Sequence, residues 1–255
     1  MRLSQRRRKL SVAVLATLGV VGGSAGAQAA PCGRVEHLGA AFTVCAFDPA
    51  RTDIRLFLRD AKGDVYGGFD RLADDVAAQG GALAFAMNGG MYQPDYSPVG
   101  LYVEKGRELR PINRRAGAGN FAMKPNGVFW TRPGAAGVAE TGKYIGLNPR
   151  PEYATQSGPM LVVGGKLHPK IHEDGTSEKT RNGVGQCEDG LLRFAISESA
   201  VTFYAFATLF RDTLKCNDAL FLDGSVSSLY APALKRNDGW KPMGPIIGVV
   251  EGLRK

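Results

Sequence analysis

The apolar runs of this chain are short, and several break off abruptly into glycine and small polar residues. Ala219-Leu220-Phe221-Leu222 ends in Asp223-Gly224-Ser225-Val226-Ser227-Ser228, and Met87 runs into Asn88-Gly89-Gly90-Met91-Tyr92. Short apolar runs closed by turn residues read as buried strands. Thirty-four glycines in 255 residues supply the breaks between them. Strand-like segments outnumber helical ones and most connections are short. The expected architecture is therefore α+β, a single domain with a mixed, largely antiparallel curved sheet and a few flanking helices.

Residues 35–47 and 53–58 read as an opening hairpin with Asp48-Pro49 as its turn. Residues 69–79 have helical spacing at Leu72 and Val76, with Asp70 as the expected cap and Gly80-Gly81 as the stop. Strands are expected at 82–87, 126–131, 191–197 and 246–250, the last of them central. Hairpins are expected at 99–109, turning at Lys105-Gly106, and at 159–167, turning at Gly164-Gly165. Residues 132–138 read as a small-residue connector. Residues 200–214 give the best helix, with Phe203, Phe206, Ala207, Phe210 and Leu214 on one face, an aromatic stripe that belongs to a core.

The first residues read as a leader. Arg2, Arg6, Arg7, Arg8 and Lys9 precede an apolar stretch over 10–21 and a small-x-small site at Ala27-Gln28-Ala29. Residues 1–29 are expected to be a signal peptide and residues 30–255 the folded domain, placing the protein in the periplasm or outside the cell. Removing the leader takes five positive charges from a formal net charge of +8, leaving about +3. The basic character is thus largely a targeting feature and argues against a nucleic-acid partner. No second apolar run approaches the length of a membrane span. Four cysteines, Cys32, Cys45, Cys187 and Cys216, suit two disulfides in an exported protein. Of the three connectivities, Cys32–Cys45 with Cys187–Cys216 keeps both bridges local.

Four segments combine a strand end with glycine and polar side chains: Met87 to Tyr92, Gln156-Ser157-Gly158-Pro159, Arg181-Asn182-Gly183-Val184-Gly185, and the Asp223 stretch. Glycines at such ends can present backbone N–H groups to anionic oxygens. Arg181 adds a planar donor fork suited to phosphate, and Asn88 offers both a donor and an acceptor. Asp223 on a strand end is the expected carboxylate of a hydrolytic site. There is no P-loop, no GxGxxG after a strand and no GxSxG elbow. His37, His168 and His172 read as surface or rim residues, and neither a metal nor a cofactor is expected.

In their order, Met87-Asn88-Gly89-Gly90-Met91-Tyr92, Ser157-Gly158-Pro159, Arg181-Asn182-Gly183-Val184-Gly185 and Leu222-Asp223-Gly224-Ser225-Val226-Ser227-Ser228 resemble the motifs of the phosphodiester glycosidase family over residues 80–250. The chain departs from the family pattern at Met91-Tyr92 and at Ser225-Val226, which alters the pocket floor. The resemblance implies a hydrolase that cuts the sugar–phosphate bond of glycosyl-1-phosphodiesters, in envelope or exopolysaccharide glycans. Asp223 would be base or nucleophile, Arg181 the clamp on the leaving phosphate, and Asn88 an orienting group. Gly89, Gly90, Gln156, Ser157, Gly158, Asn182, Gly224, Ser227 and Ser228 would line the substrate site. The chemistry suits this reading, because a phosphate monoester is already a good leaving group and needs no second carboxyl to protonate it. Two other readings use the same residues: an exported module that binds phosphorylated glycans without cutting them, and a phosphodiesterase that cuts the P–O bond.

Overall fold

A computed structural model describes Met1, residues 31–239 and residues 241–253. The expected leader lies outside the described residues. In chain order the strands are β1 (Cys32–His37), β2 (Ala40–Phe47), β3 (Ile54–Phe57), β4 (Ala82–Asn88), β5 (Tyr102–Glu104), β6 (Arg107–Arg110), β7 (Gly127–Arg132), β8 (Ala135–Glu140), β9 (Tyr153–Ser157), β10 (Met160–Val163), β11 (Lys166–Leu167), β12 (Asn182–Cys187), β13 (Leu192–Ser197), β14 (Cys216–Phe221), β15 (Leu229–Ala231), β16 (Arg236–Asn237) and β17 (Ile246–Glu251). Three α-helices join them: α1 (Phe69–Ala78), α2 (Thr141–Leu147) and α3 (Phe203–Thr208).

The strands form three open sheets rather than one. Their orders are β1-β2-β13-β12-β14-β10-β11, β16-β15-β4-β17-β3 and β6-β5-β9-β7-β8. The named strand pairs are antiparallel, so the α+β expectation holds, with the sheet divided.

The inner faces of all three sheets meet in one core. Phe47, Phe85, Phe129 and Phe194 sit at its centre, with Phe194 at 5.1 Å from Phe85 and 5.7 Å from Phe129 between ring centroids. Such tilted and edge-on contacts add to the burial of the rings themselves. Helix α3 and the π-helical turn after it cover the outer face of the first sheet with Phe206 and Phe210, and α1 covers the second with Phe69, Leu72 and Val76. The period-2 alternation of β14 divides its side chains between layers. Leu220 and Leu222 enter the central core, while Ala219 and Phe221 face α3.

Several local expectations are corrected. The opening hairpin turns at Leu38-Gly39 between β1 and β2, and β3 leaves for another sheet, so Asp48-Pro49 connects sheets. Gly68, not Asp70, is the N-cap of α1; Asp70 lies in the first turn and accepts a bond from Asn237 Nδ2 (2.6 Å). Residues 132–138 contain the start of β8, whose Gly137 lets the Trp130 indole lie flat on the strand: a Cβ there would come within 2.9 Å of the ring. The helix expected over 200–214 is short, capped by Thr202, and continues as a π-helical turn over Leu209–Thr213. His168 is buried, not on the rim, and its Nδ1 accepts the Lys170 N–H (3.0 Å).

Both local disulfides form. Cys32 faces Cys45 across β1 and β2, and Cys187 faces Cys216 across β12 and β14. The second bridge ties the strand that follows Arg181 to the strand that leads into Asp223. No described helix is long and apolar enough to cross a membrane.

Candidate functional site

Three strand ends converge where the four motifs were expected to act: the exit of β4, the start of β12 and the exit of β14. Asn88 and Asn182 close this junction and are both fully buried. Asn182 Nδ2 donates to Asn88 Oδ1 (2.7 Å). Asn88 Nδ2 donates to the Asp223 carbonyl (3.3 Å), and the Asp223 N–H donates to Asn182 Oδ1 (3.1 Å). The Ser228 N–H donates to Asn88 Oδ1 (2.9 Å), so both ends of the turn after β14 are held by one asparagine pair. Asn88 and Asn182 lie beside Asp223 as the sequence led us to expect, but their burial makes them positioning residues.

The serines continue the same framework. Ser157 Oγ donates to the Leu222 carbonyl (2.6 Å), fixing the backbone just before Asp223. Ser227 Oγ lies 2.8 Å from the Asp223 carbonyl and 3.1 Å from that of Thr180. The Ser228 hydroxyl is buried without a hydrogen-bond partner among the described residues. Gly224 lets the turn approach β12, since a Cβ would meet the tip of the Phe221 ring at 3.1 Å and the Thr180 carbonyl at 3.3 Å.

The Asp223 carboxyl is half-buried. Burial pushes its pKa above the usual aspartate range, against the Ser225 N–H bond to Oδ1 (2.8 Å) and the positive charge of Lys241. A raised carboxyl fixed by its own backbone is suited to taking or giving a proton. Tyr92, expected at the pocket floor, and Lys241, which sequence reasoning missed, are its electrostatic neighbours. Lys241 Nζ donates to the Ser225 carbonyl (3.4 Å), and the Tyr92 hydroxyl donates to the Pro242 carbonyl (2.7 Å). Burial first, then the Asp223 charge, raises the Tyr92 phenol to about 12. Lys241 lies outside the four motifs, and no local spacing announces it.

Arg181 differs most from expectation. The glycines beside it were expected to leave it free to face a ligand, yet its side chain is among the largest fully buried ones, 1% exposed. The next residue, Asn182, points inward to Asn88, whereas Arg181 stacks beneath α3. Its guanidinium carbon lies 3.5 Å from the Phe203 ring centre and 5.5 Å from that of Phe221. Nε donates to the Val201 carbonyl (2.9 Å) and Nη2 to the Ser177 carbonyl (2.6 Å). Among the described residues it forms no ion pair, and burial lowers its pKa to about 10. The Phe221 ring touched by Gly224 is therefore also the ring beneath Arg181.

The glycines of the motifs serve close packing. A Cβ on Gly183 would meet the Leu220 carbonyl at 2.7 Å and Phe206 at 3.2 Å, and one on Gly185 would meet Phe210 at 2.7 Å. Gly89 gives its N–H to the Pro245 carbonyl (2.6 Å), and Gly90 turns at φ +143° with Thr155 Oγ1 where a Cβ would stand. Gly158 packs on Asn126 and the Phe121 carbonyl. Gln156 is committed elsewhere: Oε1 accepts from Leu101 N (3.0 Å) and Asn113 N (2.8 Å), and Nε2 donates to the Asn113 carbonyl (3.0 Å). The Gly89 N–H and the Gln156 side chain are thus engaged within the fold. Among the described residues no three His, Cys, Asp or Glu side chains gather as metal ligands would.

Comparison with known proteins places this geometry. A sequence profile of the phosphodiester glycosidase family matches residues 81–250. An uncharacterized protein of Escherichia coli (strain K12), YigE, is 36% identical over 195 residues, covering 74% of this chain and 73% of its own. The solved catalytic domain of zebrafish N-acetylglucosamine-1-phosphodiester alpha-N-acetylglucosaminidase, auto-inhibited by its pro-peptide, is similar at TM-score 0.60 and 11% identity, over 86% of this chain and 81% of that one. A hypothetical protein from Synechocystis is similar at TM-score 0.56 and 15% identity, over 86% of this chain and 61% of that one. The two structures share the fold, and the profile, which matches two thirds of the chain, carries the assignment: this chain belongs to the phosphodiester glycosidase family.

Proposed function

We propose that this protein is an exported hydrolase that cleaves glycosyl-1-phosphodiesters between the anomeric carbon and the phosphate oxygen. The observation that carries the reading is Asp223: a carboxyl raised by burial, at a strand end, with its backbone held by Asn88 and Asn182. It acts as base toward water, or attacks the anomeric carbon itself. In the first course the water oxygen bonds to the anomeric carbon and its proton passes to Asp223. The bond to the bridging oxygen breaks, and its electron pair leaves with the phosphate monoester. Arg181, fully buried beneath α3, holds the Val201 and Ser177 carbonyls, and the positive charge acting on Asp223 comes from Lys241. Family membership supports the reaction class, and the zebrafish relative's named activity on an N-acetylglucosamine phosphodiester suggests the first substrate to try.

The test is sugar release from a panel of synthetic glycosyl phosphodiesters, N-acetylglucosamine-1-phospho-sugars first. Folded protein that releases no sugar from any member refutes the reading and leaves a binding module. Hydrolysis in oxygen-18 water separates the bond cut: label in the sugar marks C–O cleavage, and label in the phosphate overturns the glycosidase assignment.

A further inference from the structure

Beside Asp223 the chain builds an aromatic pair that the reaction described above does not use. Tyr92 leaves the Asn88-Gly89-Gly90 turn and anchors its hydroxyl on the Pro242 carbonyl at 2.7 Å. Its ring lies on Gly244, where a Cβ would come within 2.5 Å of it, so only glycine admits the ring at this position. Tyr96 stacks on Tyr92 with ring centres 5.7 Å apart and planes 12° from parallel. Both rings remain half-exposed.

The backbone that delivers Tyr96 is unusual. Tyr96 has φ +64°, in the left-handed region that a bulky residue adopts only at a cost. Asp95 secures the turn, since its Oδ1 accepts the Ser97 N–H (3.0 Å) and the Ser97 hydroxyl (2.7 Å). Tyr96 N–H donates to the Gln93 carbonyl (2.8 Å) and Gln93 N–H to that of Ser97 (2.8 Å). A tight, strained turn thus holds the Tyr96 ring against Tyr92 instead of folding it into the core. The backbone that anchors Tyr92 is linked in turn to the loop after Asp223: Tyr92 bonds the Pro242 carbonyl, and the adjacent Lys241 bonds the Ser225 carbonyl.

The face of an aromatic ring is electron-rich, and the C–H face of a pyranose presents weakly positive hydrogens. A ring pair linked through Pro242 and Lys241 to the turn that carries Asp223 is therefore suited to the apolar face of a sugar, which phosphate-binding groups cannot recognise. We propose that the Tyr92–Tyr96 stack is the sugar-binding wall of the site and that Tyr96 is its specificity-determining residue. The inference rests on the glycosyl phosphodiester reading above and assigns recognition of the sugar, as distinct from the phosphate, to this pair.

The experiment is calorimetric titration of the folded protein with inorganic phosphate and with glucose-1-phosphate, mannose-1-phosphate and N-acetylglucosamine-1-phosphate. The parent is expected to bind at least one sugar phosphate more tightly than inorganic phosphate. Tyr96→Ala should lose that preference by tenfold or more while binding inorganic phosphate as before, and Tyr96→Phe should keep it within twofold. Tyr96→Leu retains apolar volume without the ring and makes the same separation should the alanine variant fail to fold. A parent that shows no preference for any sugar phosphate overturns the proposal. So does a Tyr96→Ala or Tyr96→Leu variant that keeps the preference. These results are independent of turnover: hydrolysis with unaltered sugar binding in the variants sinks the wall alone, whereas ring-dependent binding without hydrolysis of any diester sinks the hydrolase reading alone.

Discussion

Asn88 and Asn182, 94 residues apart in sequence, hold each other through a 2.7 Å side-chain bond, and the Asp223 backbone hangs between their two amides. Neither asparagine is exposed, so what they supply is geometry: they fix the direction in which a partly exposed carboxyl points.

Asn182→Ala removes the acceptor of the Asp223 N–H and the donor to Asn88. Leaving buried polar groups unpartnered costs about 1–3 kcal/mol. Urea denaturation should show a loss of that size. Turnover of the diester should fall by at least tenfold in variant protein that remains folded. Wild-type turnover in the alanine variant would show that the clasp does not position Asp223.

Asp223→Asn should separate activity from stability. Burial raises the carboxyl, so folding favours its protonated form. That contribution is complete below the unfolded-state value of about 3.9 and is lost as pH rises through the higher folded-state value. At neutral pH the ionised carboxylate is therefore a burden on the fold. The amide should leave the melting temperature unchanged or raised near pH 7, with the gain vanishing in acid, while turnover falls about a hundredfold or more. Loss of stability at neutral pH together with full turnover would contradict both parts.

Lys241 lowers the Asp223 pKa by its charge. Lys241→Gln should move the acid limb of the pH–kcat/KM profile to higher pH, because the carboxyl then gives up its proton later. An unmoved or lowered limb would mean that the carboxyl governing the limb is not Asp223. High salt should shrink the difference between parent and variant.

Arg181→Lys should destabilise the protein. An ammonium cannot reproduce the planar stack on Phe203 or reach both the Val201 and Ser177 carbonyls from one plane. The Val201 carbonyl keeps the Lys179 N–H, and a loss of about 1–3 kcal/mol is expected where the Ser177 carbonyl loses its partner. If Arg181 also meets phosphate, the rise in melting temperature that inorganic phosphate gives the parent should shrink in the variant. An unchanged rise confines Arg181 to holding the 177–201 region together.

The sequence reveals different parts of this structure to different depths. Strands β4, β10 and β17 are plain because each is a run of large apolar residues bounded by turn chemistry. Strand β8 is hidden because Ala135, Ala136 and Gly137 carry no strand signal; they are small to admit Trp130. The opening hairpin is misread because a single glycine, Gly39, marks its real turn, and Leu38 beside it takes φ +46° against its own preference. Asp223 and the asparagines are legible as polar residues ending apolar runs. The role of Gly183 and Gly185 is not, since Phe206 and Phe210 that press on them come from a helix some twenty residues further along the chain. Lys241 comes to the turn after Asp223 from outside the four motifs, and a linear pattern holds no record of that.

The position of β17 has a consequence for how the protein comes into being. This strand, the last in the chain, lies in the middle of its sheet between β4 and β3, and its first residue, Ile246, is the register partner of Asn88. Every residue assigned to chemistry precedes it in sequence, and without residues 246–251 strand β4 keeps only its β15 partner, leaving Asn88 at an unpaired strand edge.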